Sequence, residues 1–221
     1  MQYAFSCTPT TYAAIEATLS QPRLTRYLTA ANHDRHLALR YYVWNARLCE
    51  EFYIPTQIAE VAFRNALAKG LQSRFGANWH TATNLSSTLP QRLQRELHRA
   101  IADESLKHGG NFTADHIVSA ISLGFWVHLT TKSPRGYIWQ GSLSAQFPHL
   151  PNGTSEEAIH NAADGLRKFR NRIAHHNAIF DKRPTAEYRN IQDILSWICP
   201  ETLWLVKQLS NPARIVSQRP K

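Results

Sequence analysis

The chain has 221 residues, of which 43% are hydrophobic and 19% are charged. This composition is typical of a globular protein and excludes a disordered, collagen-like or low-complexity chain. Lys and Arg outnumber Asp and Glu by 25 to 16, and this excess favours a polyanionic partner such as nucleic acid or a phospholipid surface.

The cysteines and the apolar segments indicate in which compartment the protein is expected. Cys7, Cys49 and Cys199 are odd in number and irregularly spaced, so they predict neither a disulfide framework nor a CxxC motif. The N-terminal segment lacks a basic region followed by an apolar one, so no secretory signal is predicted. The most apolar stretch, residues 117–129, is too short and too polar to span a bilayer. We therefore expect a soluble, cytoplasmic protein with no membrane segment.

Hydrophobic periodicity predicts helices almost throughout the chain, with no clear strand alternation or internal repeat. A short helix begins at Pro9 and ends near Leu19. Two long helices follow, over residues 34–52 and from Pro55 to Gly76. Because the connection between these two helices is very short, we expect them to lie antiparallel.

Further helices are predicted over residues 90–108 and 113–130, the second of them largely buried. Residues 132–153 are rich in Gly and Pro and are predicted as the longest non-helical connection, a candidate loop for a substrate or partner. Thr154, with Glu157 three residues later, predicts a capping box at the start of the next helix.

That helix is expected to continue to about His176. Helical segments through residues 191–198 and 200–209 complete the chain. Since no clear linker interrupts the pattern, we predict one all-α domain, with a core bundle over residues 34–210 and an N-terminal extension over residues 1–33.

The helix that begins near Thr154 ends in the sequence RNRIAHH, residues 170–176. Its opposite side is expected to present Arg167, Asn171 and, if the helix persists, His175, with His176 rotated about 100° further. The buried face is defined by apolar residues at spacings of three and four: Ile159, Ala162, Leu166, Phe169 and Ile173.

These residue types suit phosphodiester chemistry. An Arg fork holds a phosphate, and a His exchanges a proton near neutral pH. Together they could cleave RNA without a metal, through attack of the ribose 2′-oxygen on phosphorus. One His is poorly suited to act as both acid and base, whereas two chains at a twofold axis supply two. The simpler explanation is that basic residues complement the negative end of the helix dipole.

The segment RNRIAHH resembles the motif of HEPN-domain ribonucleases, in which an Arg is followed after about four to six residues by a His, often with Asn directly after the Arg. Two further segments, EVAFRN at residues 60–65 and SLGFW at residues 122–126, are similar to the Abi-like group of HEPN proteins, which is associated with abortive infection in prokaryotes. The resemblance spans most of residues 35–205.

The resemblance implies an all-α, HEPN-like helical bundle with additional helices, homodimeric, that cuts RNA without a metal or other cofactor. It implies a role in antiphage defence or as a toxin, with an antitoxin or a phage-derived trigger as a possible further partner. By position, Arg170 and His175 match the catalytic pair, and Asn171 matches the polar residue between them. His176 is an additional neighbour with no required role in the family, and it is a candidate for RNA binding or for support of the site.

Other basic and polar residues are candidates for RNA binding or for support of the site. Glu60 and Arg64, at i and i+4, are expected to form an ion pair, which either braces the site together with Asn65 or adds a weak surface contact. The remaining candidates form a basic cluster beside Arg170: Arg167, Lys168 and Arg172.

Two other functions stay open. The chain could be a catalytically inactive HEPN-like module that binds RNA, a nucleotide or a protein, or a structural dimer whose charge serves only solubility. No metal site is predicted, because His33 and His36 have no predictable third ligand. The phosphate-binding P-loop and the GxSxG motif are both absent from the sequence.

Overall fold

Helices account for all of the regular structure that is described in the computed structural model, which covers Phe5, residues 7–139 and residues 143–221. The predicted all-α class is therefore confirmed. The α-helices of the described residues are α1 (Pro9–Leu19), α2 (Gln21–Ala30), α3 (Arg35–Phe75), α4 (Thr83–Thr88), α5 (Gln91–His108), α6 (Ala114–Ala120), α7 (Leu123–His128), α8 (Lys132–Pro134), α9 (Glu156–Ala174), α10 (Pro184–Ile198), α11 (Pro200–Leu209) and α12 (Pro212–Ser217).

The chain divides into two compact units that interleave along the sequence. The first unit comprises Met1–Thr56, Phe169–Arg189 and Val206–Lys221, and the second comprises Gln57–Lys168 and Asn190–Leu205. Helices α3, α9, α10 and α11 each supply residues to both units. The single domain predicted over residues 1–221 stays a prediction, as does its N-terminal extension.

One continuous helix, α3, stands where an antiparallel pair of helices was predicted, so that prediction is wrong. Pro55 lies inside α3 and removes the N–H that would bond the carbonyl four residues earlier. The hydroxyl of Thr56 donates to the carbonyls of Phe52 at 2.7 Å and Tyr53 at 3.0 Å. These side-chain bonds support the turn around the proline, so the helix continues where Pro55 was expected to begin a new one.

The predicted helix over residues 113–130 is buried along much of its length, as expected, but it is broken into α6 and α7. Ile121 and Ser122 have extended backbone between the two helices. The hydroxyl of Ser122 accepts a hydrogen bond from the N–H of Phe125 at 3.3 Å, and its own N–H donates to Glu96 Oε1 at 2.9 Å. Ser122 is thus the N-cap that starts α7, a role that apolar periodicity does not reveal.

Residues 132–153 are not the non-helical connection that was predicted. They contain α8, a π-helical turn at Arg135–Trp139 and a 3₁₀ turn at Leu143–Gln146, while residues 140–142 lie outside the described part. Trp139 is buried, and its indole N–H donates to the carbonyl of Leu129 at 2.9 Å. A Cβ at Gly70 would lie 2.7 Å from the Trp139 ring, so this glycine lets the segment pack tightly on α3.

The start of α9 also differs from its prediction. The hydroxyl of Ser155 accepts the N–H of Ala158 at 3.1 Å, so Ser155 is the N-cap residue and the capping box predicted for Thr154 and Glu157 is wrong. The predicted inner face of the helix is confirmed by four buried apolar residues: Ile159, Ala162, Leu166 and Phe169. The fifth residue of that face, Ile173, is partly exposed.

Aromatic side chains fill the interior of each unit. In the first unit, the ring of Phe180 lies 5.5 Å from Tyr27 and 6.1 Å from Trp44 between centroids, and Phe52 meets Phe169 edge to face at 4.8 Å. The second unit has its own aromatic pairs, with Trp79 5.7 Å from Trp126 and Phe63 6.1 Å from Phe147.

Asn45 is a buried polar residue on α3 that holds the loop after α9. Its Oδ1 atom accepts hydrogen bonds from the backbone N–H groups of Ile179 at 2.8 Å and Phe180 at 3.2 Å. The first of these bonds is buried and the second is partly buried, so removal of the acceptor has a large effect, because both donors then lose their partner.

We expect Asn45→Ala to lower the free energy of unfolding by about 2–3 kcal/mol, since an orphaned buried N–H costs roughly 1–3 kcal/mol and the partly buried N–H of Phe180 costs less. Urea denaturation monitored by circular dichroism measures this change. The control is Asn161→Ala, at an exposed Asn of α9, which should change stability by less than about 0.5 kcal/mol. Equal effects of the two variants would contradict the bridging role of Asn45.

Candidate active site

The helix that contains the predicted motif ends in a left-handed turn at His176. Helix α9 runs to Ala174, and His176 has a φ of +56°, in the region that glycine usually occupies after a helix. Three backbone hydrogen bonds close the turn: His175 N–H to Asn171 O at 3.0 Å, His176 N–H to Ile173 O at 3.0 Å, and Asn177 N–H to Arg172 O at 2.8 Å. This pattern is a Schellman motif, and it satisfies three of the last four helix carbonyls.

The turn changes the geometry that was expected for the two histidines. The helix does not persist through His175, which is the cap residue, and His176 reverses the chain instead of continuing it. The expected rotation of about 100° between the two side chains therefore does not apply. Both side chains are exposed, so each imidazole is accessible to solvent and to a ligand.

Arg170 and Asn171 lie on the last full turn of α9 and are half-buried. The Nη1 atom of Arg170 is 3.5 Å from Asn171 Oδ1, a long hydrogen bond that points the amide oxygen towards the guanidinium. The partly buried Arg and the exposed His175 thus sit on one rigid helix end, five positions apart.

Arg172 braces the loop that follows the motif. Its Nε and Nη2 atoms both donate to the carbonyl of Ala178, at 3.2 Å and 2.9 Å. Two of its five donors are therefore used inside the chain, and the planar fork is fixed by a single acceptor. Arg172, predicted as a member of an RNA-binding cluster, has a structural partner in the first unit.

Helix α2 contacts the same turn, and the sequence did not identify which of its residues do so. Arg23 Nη1 donates to the carbonyl of His176 at 2.6 Å, and Arg26 Nε donates to Asp181 Oδ2 at 3.0 Å. A cleft of about 460 Å³ lies between α2 and the turn, and its lining includes both arginines, His176 and Asn177. Arg23 lies 153 positions before His176, and no local pattern signals a pairing over that separation.

Arg167 and Lys168, the other members of the predicted basic cluster, share a carboxylate. Asp164 is 2.6 Å from Arg167 Nη2 and 2.7 Å from Lys168 Nζ. Burial acts to raise the pKa of the Asp164 carboxyl, but hydrogen bonds from Lys168 and Arg167 outweigh it and hold the pKa below its usual value. Asp164 therefore stays charged and compensates one of the two cations.

In the second unit, Glu60 and Arg64 form the expected ion pair on α3, in which Glu60 is buried and Arg64 is partly buried. The pair is more shielded than a surface contact, and its role in bracing the site stays a prediction. Asn65, at the next position, is exposed, and both Arg64 and Asn65 line a cleft of that unit.

Within the described residues, no three His, Cys, Asp or Glu side chains converge as a metal site would require. Over the same part of the chain, every helix is too short or too polar to cross a membrane.

Comparison with family models, with curated proteins and with solved structures finds no match to this chain. The residue types at the end of α9 nevertheless suit two chemical roles. A guanidinium restrained on a helix can hold and charge-compensate a phosphate, and an exposed imidazole at the adjoining turn can move a proton.

The left-handed backbone of His176 leads to a prediction about the stability of variants at this position. We expect His176→Gly to leave the free energy of unfolding unchanged or to raise it by up to about 1 kcal/mol, because glycine adopts positive φ without a Cβ penalty. His176→Val should lower it by about 1–2 kcal/mol, since a β-branched residue disfavours this region. Thermal or urea unfolding of both variants checks the pair, and a valine variant as stable as the glycine variant would contradict the assigned turn.

Proposed function

We propose that this chain is a metal-independent endoribonuclease of the HEPN type, similar to the Abi-like group, that acts in the cytoplasm in antiphage defence or as a toxin. The observation that supports the proposal best is the end of α9, where half-buried Arg170 is followed by exposed His175 at the cap of the helix. The same helix end supplies Asn171, so one rigid element presents all three residues assigned to the chemistry.

Arg170 has the role of phosphate clamp. Its guanidinium offers donors in a fixed plane that match two oxygens of a phosphodiester, and its charge offsets the negative charge that develops on the pentacoordinate phosphorus. Asn171 is within reach of the Arg170 guanidinium and helps to keep it oriented. Arg170 therefore acts in both binding and catalysis.

His175 has the role of proton transfer. As a neutral imidazole it removes the proton of the ribose 2′-OH, and the 2′-oxygen attacks phosphorus. The bond from phosphorus to the 5′-oxygen then breaks, and a protonated imidazole delivers a proton to that leaving oxygen. The products are a 2′,3′-cyclic phosphate and a 5′-hydroxyl, and no oxidant or cofactor enters the balance.

The two proton transfers call for two imidazoles, and a homodimer supplies them. In a twofold arrangement that brings two α9 ends together, His175 of one copy serves as base while the same residue of the second copy serves as acid. The exposed position of His175 at a helix cap is compatible with this arrangement. An antitoxin or phage-derived trigger would act by controlling access to the shared cleft.

One observation favours the alternative, a catalytically inactive module that binds RNA, a nucleotide or a protein. Arg167 and Lys168 share Asp164, and Arg172 is engaged by Ala178, so three of the cations nearest the motif have intrachain partners. Cleavage assays separate the two functions, because an inactive binding module does not cleave RNA, whether or not the motif is changed.

We expect His175→Ala to reduce RNA cleavage by about 10²–10⁴-fold, the usual contribution of a general acid or base, with RNA affinity largely retained. The exposed side chain should change stability by less than about 0.5 kcal/mol. Arg170→Ala should reduce both cleavage and binding. Purified protein incubated with total RNA in the presence of EDTA provides the assay, and filter binding gives the affinity.

The matched control is His176→Asn, which removes the neighbouring imidazole but retains a residue type that tolerates the left-handed backbone. This variant should cleave RNA at nearly the rate of the unmodified chain. If His176→Asn is inactive while His175→Ala is active, the motif is assigned to the wrong histidine. Binding without cleavage by the unmodified protein would support the binding module.

We also expect a homodimer that places the Arg170–His175 segments near each other and buries at least about 1,000 Å² of surface. Sedimentation equilibrium at micromolar concentration should give twice the chain mass of 25.2 kDa. A monomer that still cleaves RNA at the same concentration would disprove the shared site.

A further inference from the structure

A second cleft, of about 840 Å³, lies within the second unit, and none of the proposed catalytic steps uses it. One wall is the C-terminal half of α3, and the other is the segment that leads from Phe112 into α6. Its volume falls in the range of small-molecule sites, which is roughly 300–1,000 Å³.

The floor of the cleft is apolar and includes an aromatic ring at its edge. Trp79 and Val118 are buried in the lining, and Phe112 is half-buried. The Phe112 ring packs perpendicular to the His80 ring at a centroid distance of 5.3 Å, and the nearly parallel ring of His116 lies at 6.3 Å. Phe112 is thus a supported aromatic surface that is still partly accessible.

The rim presents side-chain amides that have no hydrogen-bond partner among the described residues. Asn65 and Gln72 lie on one face of α3, at positions i and i+7, and Asn78 follows just after the helix. All three are exposed. An amide both donates and accepts, which is the combination that the edges of nucleobases require.

Two cations complete the cleft. Lys69 is exposed on α3, one turn after Asn65, and has no carboxylate partner within the described residues. Arg64 lines the same wall, where its partly buried pairing with Glu60 restrains the guanidinium. A restrained guanidinium beside an exposed ammonium suits a phosphate group.

We propose that this cleft binds one nucleotide unit, with its base against Phe112, its base edge at the amides and its phosphate at Lys69 and Arg64. The shared ligand chemistry is that of a nucleoside monophosphate. It comes either from an RNA strand, in which case the inference rests on the proposed ribonuclease function, or from a free mononucleotide, in which case it does not.

The first experiment titrates the full chain with AMP, GMP, CMP and UMP by isothermal calorimetry, with ribose 5-phosphate as the ligand that lacks a base. Phe112→Leu retains an apolar side chain but removes the ring, and it should weaken binding at least about fivefold, because base–aromatic stacking has this magnitude. Ser119→Trp, at an exposed lining position, should abolish binding by filling the cleft.

Matched variants outside the cleft separate occupancy from general effects on the fold. Asn161→Trp places the same bulky ring at an exposed position of α9, and Lys207→Ala removes an exposed lysine of α11. Neither should change nucleotide affinity, and circular dichroism of every variant shows whether the fold is retained.

The second experiment tests the strand as the source of the nucleotide, with a short oligoribonucleotide that contains 4-thiouridine. Irradiation should crosslink it to residues around Phe112, and Ser119→Trp should prevent this crosslink. Lys69→Ala should lower the salt slope of oligonucleotide binding by roughly 0.7, the value of one phosphate contact on a single strand, whereas Lys207→Ala should not.

These outcomes distinguish the cleft from the motif. Mononucleotide binding that Ser119→Trp abolishes supports the cleft even if the protein never cleaves RNA, and crosslinking to Phe112 without mononucleotide binding assigns the cleft to a strand. His175→Ala should leave both kinds of binding intact. If mononucleotides do not bind and Ser119→Trp leaves the crosslink unchanged, the proposal is wrong, whether or not His175 is needed for cleavage.

Discussion

The left-handed backbone of His176 closes α9, and the geometry of the proposed active site depends on this turn. Because the helix stops at Ala174, His175 becomes an exposed cap residue instead of one more position on a helical face. The chain then reverses, which brings Ala178 to the guanidinium of Arg172 and the next two backbone N–H groups to Asn45. These contacts hold the turn through Arg172, Ala178 and the two N–H groups that follow, and the imidazole of His175 takes no part in them.

The partners of the basic residues explain how charge is distributed around the turn. Arg26 is paired with Asp181, and Arg167 and Lys168 share Asp164, so these cations are partly neutralised. Arg23 and Arg172 donate instead to the backbone carbonyls of His176 and Ala178.

A carbonyl satisfies the donors of a guanidinium but leaves its full positive charge in place. The end of α9 therefore keeps an excess of positive charge from Arg23 and Arg172, although both side chains also have structural roles. In the ribonuclease that we propose, this is the field that a phosphodiester meets as it approaches His175.

The sequence predicted the elements whose signals are local and missed those that depend on a distant partner. The bounds of α1, α5 and α11 follow from proline, glycine and apolar spacing, and the structure confirms them. Pro55 misled the prediction because Thr56 supplies side-chain hydrogen bonds to the surrounding turn, and Ser122 divides a continuous apolar stretch because Glu96 accepts its backbone N–H. Such compensations cannot be recognised until the chain is folded.

The same distinction applies to the candidate site. The types and spacing of Arg170, Asn171 and His175 were visible in the sequence, because all three lie within one turn and a half of the helix end. The contributions of Arg23 and Asn45 were not visible, since they act on backbone atoms more than one hundred positions away. The stopping point of α9 was also missed, because a histidine in place of glycine gives no signal for a left-handed turn.

The partly buried pair of Glu60 and Arg64 contributes more to the orientation of a side chain than to the stability of the fold. Removing two charges from water costs about as much as their attraction returns, so such a pair adds little to the free energy of unfolding. What it does provide is a guanidinium with a fixed orientation, on a wall that also presents Asn65 and Lys69. An apolar pair at the same positions would pack equally well and would leave the cleft without its only fixed cation among the described lining residues. The partly buried ion pair therefore supports a binding role for this part of α3.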